Sequence, residues 1–143
     1  MAPLSSRSSH LRQAGFLRAL TLKVDAFPDG IWFIELAFIS DPALIPQFIQ
    51  NTMGLLGHKD IAIVQALQEY LKSKKALLVL DNCEHLIDAA AKVANDLLTQ
   101  TNNLKILASS REALGVQGEF AWRVPSLSLP DATSIPVPED LSQ

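Results

Sequence analysis

Three short apolar runs, separated by segments of helical period, constrain this chain more than any other feature. They are Ile31-Trp-Phe-Ile-Glu-Leu36, Ala76-Leu-Leu-Val-Leu80 and Leu104-Lys-Ile-Leu-Ala108. Nearly continuous apolar runs of this length, rich in β-branched and aromatic residues, mark strands expected to be buried on both faces. The turn Phe27-Pro-Asp-Gly30 launches the first run, with Pro at its second position and Gly closing it. Asp41 caps a helix expected from Pro42 to about Met53, which Gly54 and Gly57 end. Asp60 is expected to cap a second helix, Ile61–Ser73, with Ile61, Val64, Leu67 and Leu71 on one stripe. Lys72, Lys74 and Lys75 suit the negative end of its dipole. A third helix is expected over Glu84–Thr99, with Leu86, Ala90, Val93 and Leu97 inward and Thr101-Asn-Asn103 breaking it. Trp122-Arg-Val-Pro125 reads as a short edge strand.

Strands joined by helices imply right-handed crossovers and a parallel sheet. The expected fold is therefore α/β. Ligands of such sheets bind beyond the carboxyl ends of the strands. Polar residues collect there: Asp81 and Glu84 after one strand, Ser109, Ser110 and Arg111 after the next.

Composition narrows the function classes. The 143 residues carry a net charge of −3, and 48% are hydrophobic, which is enough for a core without disulfides or metal. The lone Cys83 excludes a disulfide framework and zinc sites of the Cys₄ or Cys₂His₂ type. Mild acidity argues against direct nucleic-acid or anionic-membrane binding by this chain. Mean hydropathy is high at +0.19, yet no run approaches the roughly 18 apolar residues of a membrane span. The longest, Ile31–Ile39, is broken by Glu35. A cytoplasmic location is expected.

The termini read differently. Met1–Ser9 is Ser-rich, with Arg7 in it and Arg12 after it, and lacks the apolar core of a secretory signal. Residues 1–26 form a variable leader. Within it Leu11–Val24 fits a helix with Leu11, Phe16, Leu20 and Val24 near one face, while Leu20–Val24 also alternates like a strand. The main domain spans 27–129. The Pro-, Ser- and acid-rich tail 130–143 is expected to be disordered.

Four apolar residues followed by an acid at a strand end form the Walker B pattern. A carboxylate fixed at the rim of a rigid sheet can hold Mg²⁺ beside a nucleotide's phosphates. Glu84 could then orient or deprotonate an attacking water, and Arg111 could reach a γ-phosphate. The plainer readings are that Asp81 caps the following helix and that Arg111 makes a surface ion pair with Glu112. Cys83 reads as a packing residue and His85 as a residue at the helix amino end.

Four segments together resemble one family: Phe27-Pro-Asp-Gly-Ile-Trp-Phe-Ile-Glu-Leu-Ala37, Leu77-Leu-Val-Leu-Asp-Asn-Cys-Glu-His-Leu86, Ile106-Leu-Ala-Ser-Ser-Arg-Glu-Ala-Leu-Gly115 and Trp122-Arg-Val-Pro-Ser-Leu127. They resemble the ATPase domain of bacterial LuxR-type and SARP-type multidomain transcriptional regulators, of the STAND (NB-ARC-like) class. The resemblance covers Phe27–Pro130. It implies a three-layer, P-loop-NTPase-like sheet with ATP or ADP and Mg²⁺ as cofactors. By the same resemblance Asp81 is the Walker B acid and metal ligand, Asn82 lies with it in the cofactor site, Glu84 is the catalytic acid, and Arg111 is the sensor.

The strongest motif of that family, Gly-x-x-x-x-Gly-Lys-Ser/Thr, is missing. None of the glycines at 15, 30, 54, 57, 115 and 118 is followed by Lys-Ser or Lys-Thr. Gly15–Val24 resembles at most a remnant of the helix after that loop. The expectation is a truncated, P-loop-less ATPase domain of a signal-responsive transcriptional regulator, without its first strand and inactive alone. One alternative is a competent ATP-dependent switch whose P-loop lies upstream of Met1 or on another chain. The other is an unrelated α/β interaction module. Expected partners are a second copy or other regulator domains, since an unpaired apolar sheet edge invites association.

Overall fold

The computed structural model describes residues 24–57 and 60–124. Its elements run β1 (Gly30–Glu35), α1 (Ile45–Thr52), α2 (Ile63–Leu71), β2 (Ala76–Asp81), α3 (Ile87–Thr99) and β3 (Leu104–Ala108). The strands form one parallel sheet in the order β1-β2-β3. The fold is thus α/β, with a small parallel sheet and three α-helices among the described residues. The leader up to residue 23 and the tail from 125 lie outside the described residues.

The helices share one core with one face of the sheet. Ala76, Leu78 and Leu80 of β2 belong to it, with Ile34 of β1 and Leu104 of β3. Ile45 and Ile49 of α1, Leu67 and Leu71 of α2, and Ala90, Val93 and Leu97 of α3 complete it. Side chains alternate across a strand, so this face is one of two. The flanking layer expected on the other face is not seen among the described residues. α2 and α3 are also joined by a hydrogen bond from Gln68 Nε2 to the Asp96 carbonyl, 2.7 Å.

The strands are less alike than their sequences. Residues 76–80 of β2 are buried on both faces, as expected. β1 is mostly half-buried, and β3 alternates between buried or half-buried and exposed positions. Among the described residues both are edges of the sheet, which sequence periodicity alone does not reveal. The Phe27–Gly30 turn is anchored to the start of β2. Asp29 Oδ2 accepts from the Lys75 amide at 2.7 Å, and the Asp29 amide donates to the Lys75 carbonyl at 3.3 Å. Gly30 sits at φ +136°, and an added Cβ would lie 2.8 Å from the Trp32 ring. That packing and that φ both demand glycine.

Several helix boundaries differ from expectation. The Asp41 cap forms, its carboxylate accepting from the Ala43 amide at 3.0 Å. It opens a 3₁₀ turn, Pro42–Leu44, before α1 begins at Ile45. Pro46 lacks the N–H that would bond back to Pro42, so an α-turn cannot close there. Asp60 does not cap α2. That helix starts at Ile63 behind Ala62, with no side-chain cap. α3 starts at Ile87, three residues after Glu84, because a turn at Cys83–Leu86 comes first. Leu36 leaves the first strand for a 3₁₀ turn. Trp122–Val124 forms no strand. Phe120, Trp122 and Val124 are largely exposed instead, with no ladder to join.

Candidate functional site

The carboxyl ends of β2 and β3 are stitched together by one serine. The Ser109 amide donates to the Leu80 carbonyl at 2.9 Å, and its own carbonyl accepts from the Cys83 amide at 2.9 Å. Its hydroxyl accepts from the Asn82 amide at 3.0 Å and donates to the Asp81 carboxylate. Four hydrogen bonds from one residue thus fix the turn after β2. Asn82 holds that turn at φ 62°, a left-handed conformation that Asn tolerates better than most residues. Ser109 was visible in the sequence only as a polar residue at a strand end. Its bridging role follows from the parallel register, Leu80 opposite Ala108, which places Ser109 beside Asp81.

Asp81 therefore stands at the rim of β2, which is paired on both sides, and is oriented by the residue that follows β3. Glu35 is its register partner on β1. Glu84 and Arg111 also come together. Arg111 Nε lies 4.0 Å from Glu84 Oε1, with the arginine side chain 87% exposed. The ion pair expected for Arg111 with Glu112 is replaced by this longer one with Glu84. Glu112 instead lines an open groove of about 450 Å³, with Pro42, Glu84, His85, Asp88 and the first turn of α3.

Two neighbours take the plain roles expected of them. Cys83 is fully buried, and its thiol faces the Leu80 carbonyl at 3.5 Å. Burial pushes the thiol up to about 12, and the nearby Glu84 and Asp81 charges add to the effect. Its thiol is thus held protonated at neutral pH, as a packing residue's would be. His85 Nε2 lies 3.0 Å from the Ile39 carbonyl. A carbonyl only accepts, so Nε2 carries the proton, and the ring pins the 3₁₀ segment after β1 to the turn before α3.

The residues present do not make a self-sufficient nucleotide or Mg²⁺ site. Among the described residues no three His, Cys, Asp or Glu side chains converge to hold a metal ion. The groove by the first turn of α3 is lined by Glu84, Asp88 and Glu112, charges that repel a triphosphate. Mg²⁺ held by one or two carboxylates relies on substrate phosphates and water for its other ligands.

No family model matches the chain. Over 103 residues, 72% of its length, the chain is 39% identical to "Putative HTH-type transcriptional regulator Rv0890c" of Mycobacterium tuberculosis and to "Putative HTH-type transcriptional regulator Mb0914c" of Mycobacterium bovis. It is equally similar to "Uncharacterized protein Rv0894" of M. tuberculosis. The match spans 12% of the two regulators and 26% of the third protein. The resemblance to a STAND-class ATPase domain is corrected by these findings. No family model supports it, and the relatives' names state transcription control without an ATPase. The relatives are consistent with a regulatory role. Their HTH designation also runs against the expectation that no nucleic acid is contacted. No helix among the described residues is long and apolar enough to cross a membrane.

Proposed function

We propose that this chain is a regulatory module of a cytoplasmic transcriptional regulator. It is built as part of a P-loop-NTPase-like sheet that keeps the acid of a nucleotide site without the phosphate loop. The observation carrying this reading is Asp81 at the carboxyl end of the central parallel strand, oriented by Ser109 from the next strand. Glu84 and Arg111, drawn together beside it, are the acid and the phosphate-sensing cation of that site. Asn82 shapes the turn between them. Residues 27–129 form the module, with 1–26 as leader and 130–143 as tail. The net charge of −3 supports DNA contact being made by other parts of a longer regulator, or by partner domains.

In this proposal the chain alone does not hold ATP·Mg²⁺ tightly. Each charge-assisted hydrogen bond of a phosphate loop contributes about 1.5–3 kcal/mol. Micromolar affinity corresponds to about 8 kcal/mol, so losing four or five such bonds removes most of it. Calorimetric titration of the full chain with ATP and Mg²⁺ tests the reading. The expected result is no binding tighter than millimolar. A micromolar constant abolished by Asp81→Ala would instead show a competent switch. Micromolar binding unaffected by that substitution would show a different nucleotide site.

A further inference from the structure

Arg111 stands in a loop, yet the loop is anchored on both sides of it. Its side chain is 87% exposed, and its ion pair with Glu84 is long, at 4.0 Å. A pair of that kind holds a long side chain only weakly, so the backbone decides where the guanidinium starts from. Upstream, Ser109 is bonded to the end of β2, and the Ser110 hydroxyl accepts from the Glu112 amide at 3.4 Å. Downstream, Leu114 packs against the core. Its amide and those of Gly115 and Val116 converge on the Glu119 carboxylate, at 2.9, 2.6 and 3.2 Å. Successive amides aimed at one point form a concavity that suits an anion, and here the same loop supplies the anion. The Glu119 amide donates to the Val116 carbonyl at 3.0 Å. That bond closes a turn with Gly118 at φ +80° in its third position, where a type II turn calls for glycine. The turn is what brings Glu119 back to the amides.

We infer that Glu119 is a positioning residue for Arg111: its carboxylate locks the downstream end of the loop and so keeps the guanidinium beside Glu84. The inference rests on the reading of Arg111 as the phosphate-sensing cation for its functional meaning, and on the hydrogen bonds above for its geometry. Only Arg111, Glu112 and Ala113 separate Ser110 from Leu114. So short a stretch between two anchors leaves the arginine backbone little freedom. Without the Glu119 bonds the downstream anchor is reduced to the packing of the half-buried Leu114. A carboxylate suits this task better than a neutral group, because its two oxygens divide the donors. Oε1 takes the Leu114 amide, and Oε2 takes those of Gly115 and Val116. Glutamine offers one acceptor oxygen, enough for Gly115 and Val116 but not also for Leu114. Alanine offers none. Glu119→Gln and Glu119→Ala therefore weaken the latch in steps, without altering Arg111, Glu84 or Asp81.

Nuclear magnetic resonance of the full chain at neutral pH, without nucleotide, tests this. In Glu119→Ala the amides of Leu114, Gly115 and Val116 should exchange with water about tenfold or more faster. The Arg111 amide should gain fast motion, read as a lower heteronuclear NOE. The Glu84 side-chain carboxyl resonance should move in the direction that Arg111→Ala moves it, by at least half as much, while the amides of β2 and β3 stay in place. Glu119→Gln should fall between parent and Glu119→Ala on each measure, and it carries the test by itself if the alanine variant does not fold. Faster exchange at 114–116 with Arg111 and Glu84 unchanged would make Glu119 a local staple only and overturn the inference. Unchanged exchange at 114–116 would overturn it as well. The outcome is independent of the ATP titration, so loss of the nucleotide reading and loss of the latch are seen separately.

Discussion

The Ser109 hydroxyl donates to the Asp81 carboxylate, joining the end of β3 to the end of β2 through side chains as well as backbone. The same oxygen accepts from the Asn82 amide. One hydroxyl thus both orients the acid and holds the turn that carries it.

Ser109→Ala removes both side-chain bonds and leaves the backbone bonds intact. Each such bond is worth about 0.5–1.5 kcal/mol net. The urea midpoint should fall by an amount equivalent to about 1–2 kcal/mol with an unchanged slope. Ser109→Thr should restore most of the loss, because its hydroxyl can make both bonds.

Arg111→Ala should do far less. The Arg111–Glu84 contact is long and the arginine is mostly in water, and pairs of that kind contribute about 0–1 kcal/mol. Thermal unfolding within about 2 °C of the parent is expected. A large loss of stability would show that Arg111 is part of the framework and not a group available to a ligand.

Asn82 separates backbone strain from side-chain chemistry. Asn82→Gly keeps the left-handed turn and should be neutral or slightly stabilising. Asn82→Val forces a β-branched residue to φ 62° and should cost about 1–3 kcal/mol, read from chemical denaturation.

Cys83 gives a pH dependence with a defined sign. Its thiol is raised from an ordinary 9.0 to about 12 in the folded protein. The unfolded chain therefore loses this proton first as pH rises. The contribution of the protonated thiol to stability is complete below about pH 9 and disappears as pH climbs toward 12. Alkylation of the native chain at pH 8 should accordingly be much slower than that of the urea-unfolded chain, as followed by intact mass. Cys83→Ser should flatten the decline of stability between those pH values.

The strands and their parallel arrangement were legible because continuous apolar runs and single-helix connections leave few alternatives. Asp81, Glu84 and Arg111 were legible as strand-end polar residues, and the fold does bring them to one rim. What escaped was set by tertiary context. Nothing local distinguishes β2 from β1 and β3, although only β2 is buried on both faces. Asp60 has the chemistry of a cap, yet α2 begins beyond its reach. Glu119 shows no signal in sequence, but its carboxylate accepts the amides of Leu114, Gly115 and Val116 at 2.9, 2.6 and 3.2 Å. The loop after Arg111 is closed by that acid and not by the edge strand that its apolar residues suggested.

The clamp between Asp29 and Lys75 spans 46 residues of chain, and it sets a timetable. Synthesis proceeds at about 5–20 residues per second, so β1 leaves the ribosome several seconds before the strand it must pair with. During that interval Trp32, Phe33 and Ile34 lack the partner strand described here. β3, by contrast, follows β2 across a single helix and meets a partner already made. Of the two pairings, β1 with β2 is therefore the one that waits on the longer stretch of synthesis.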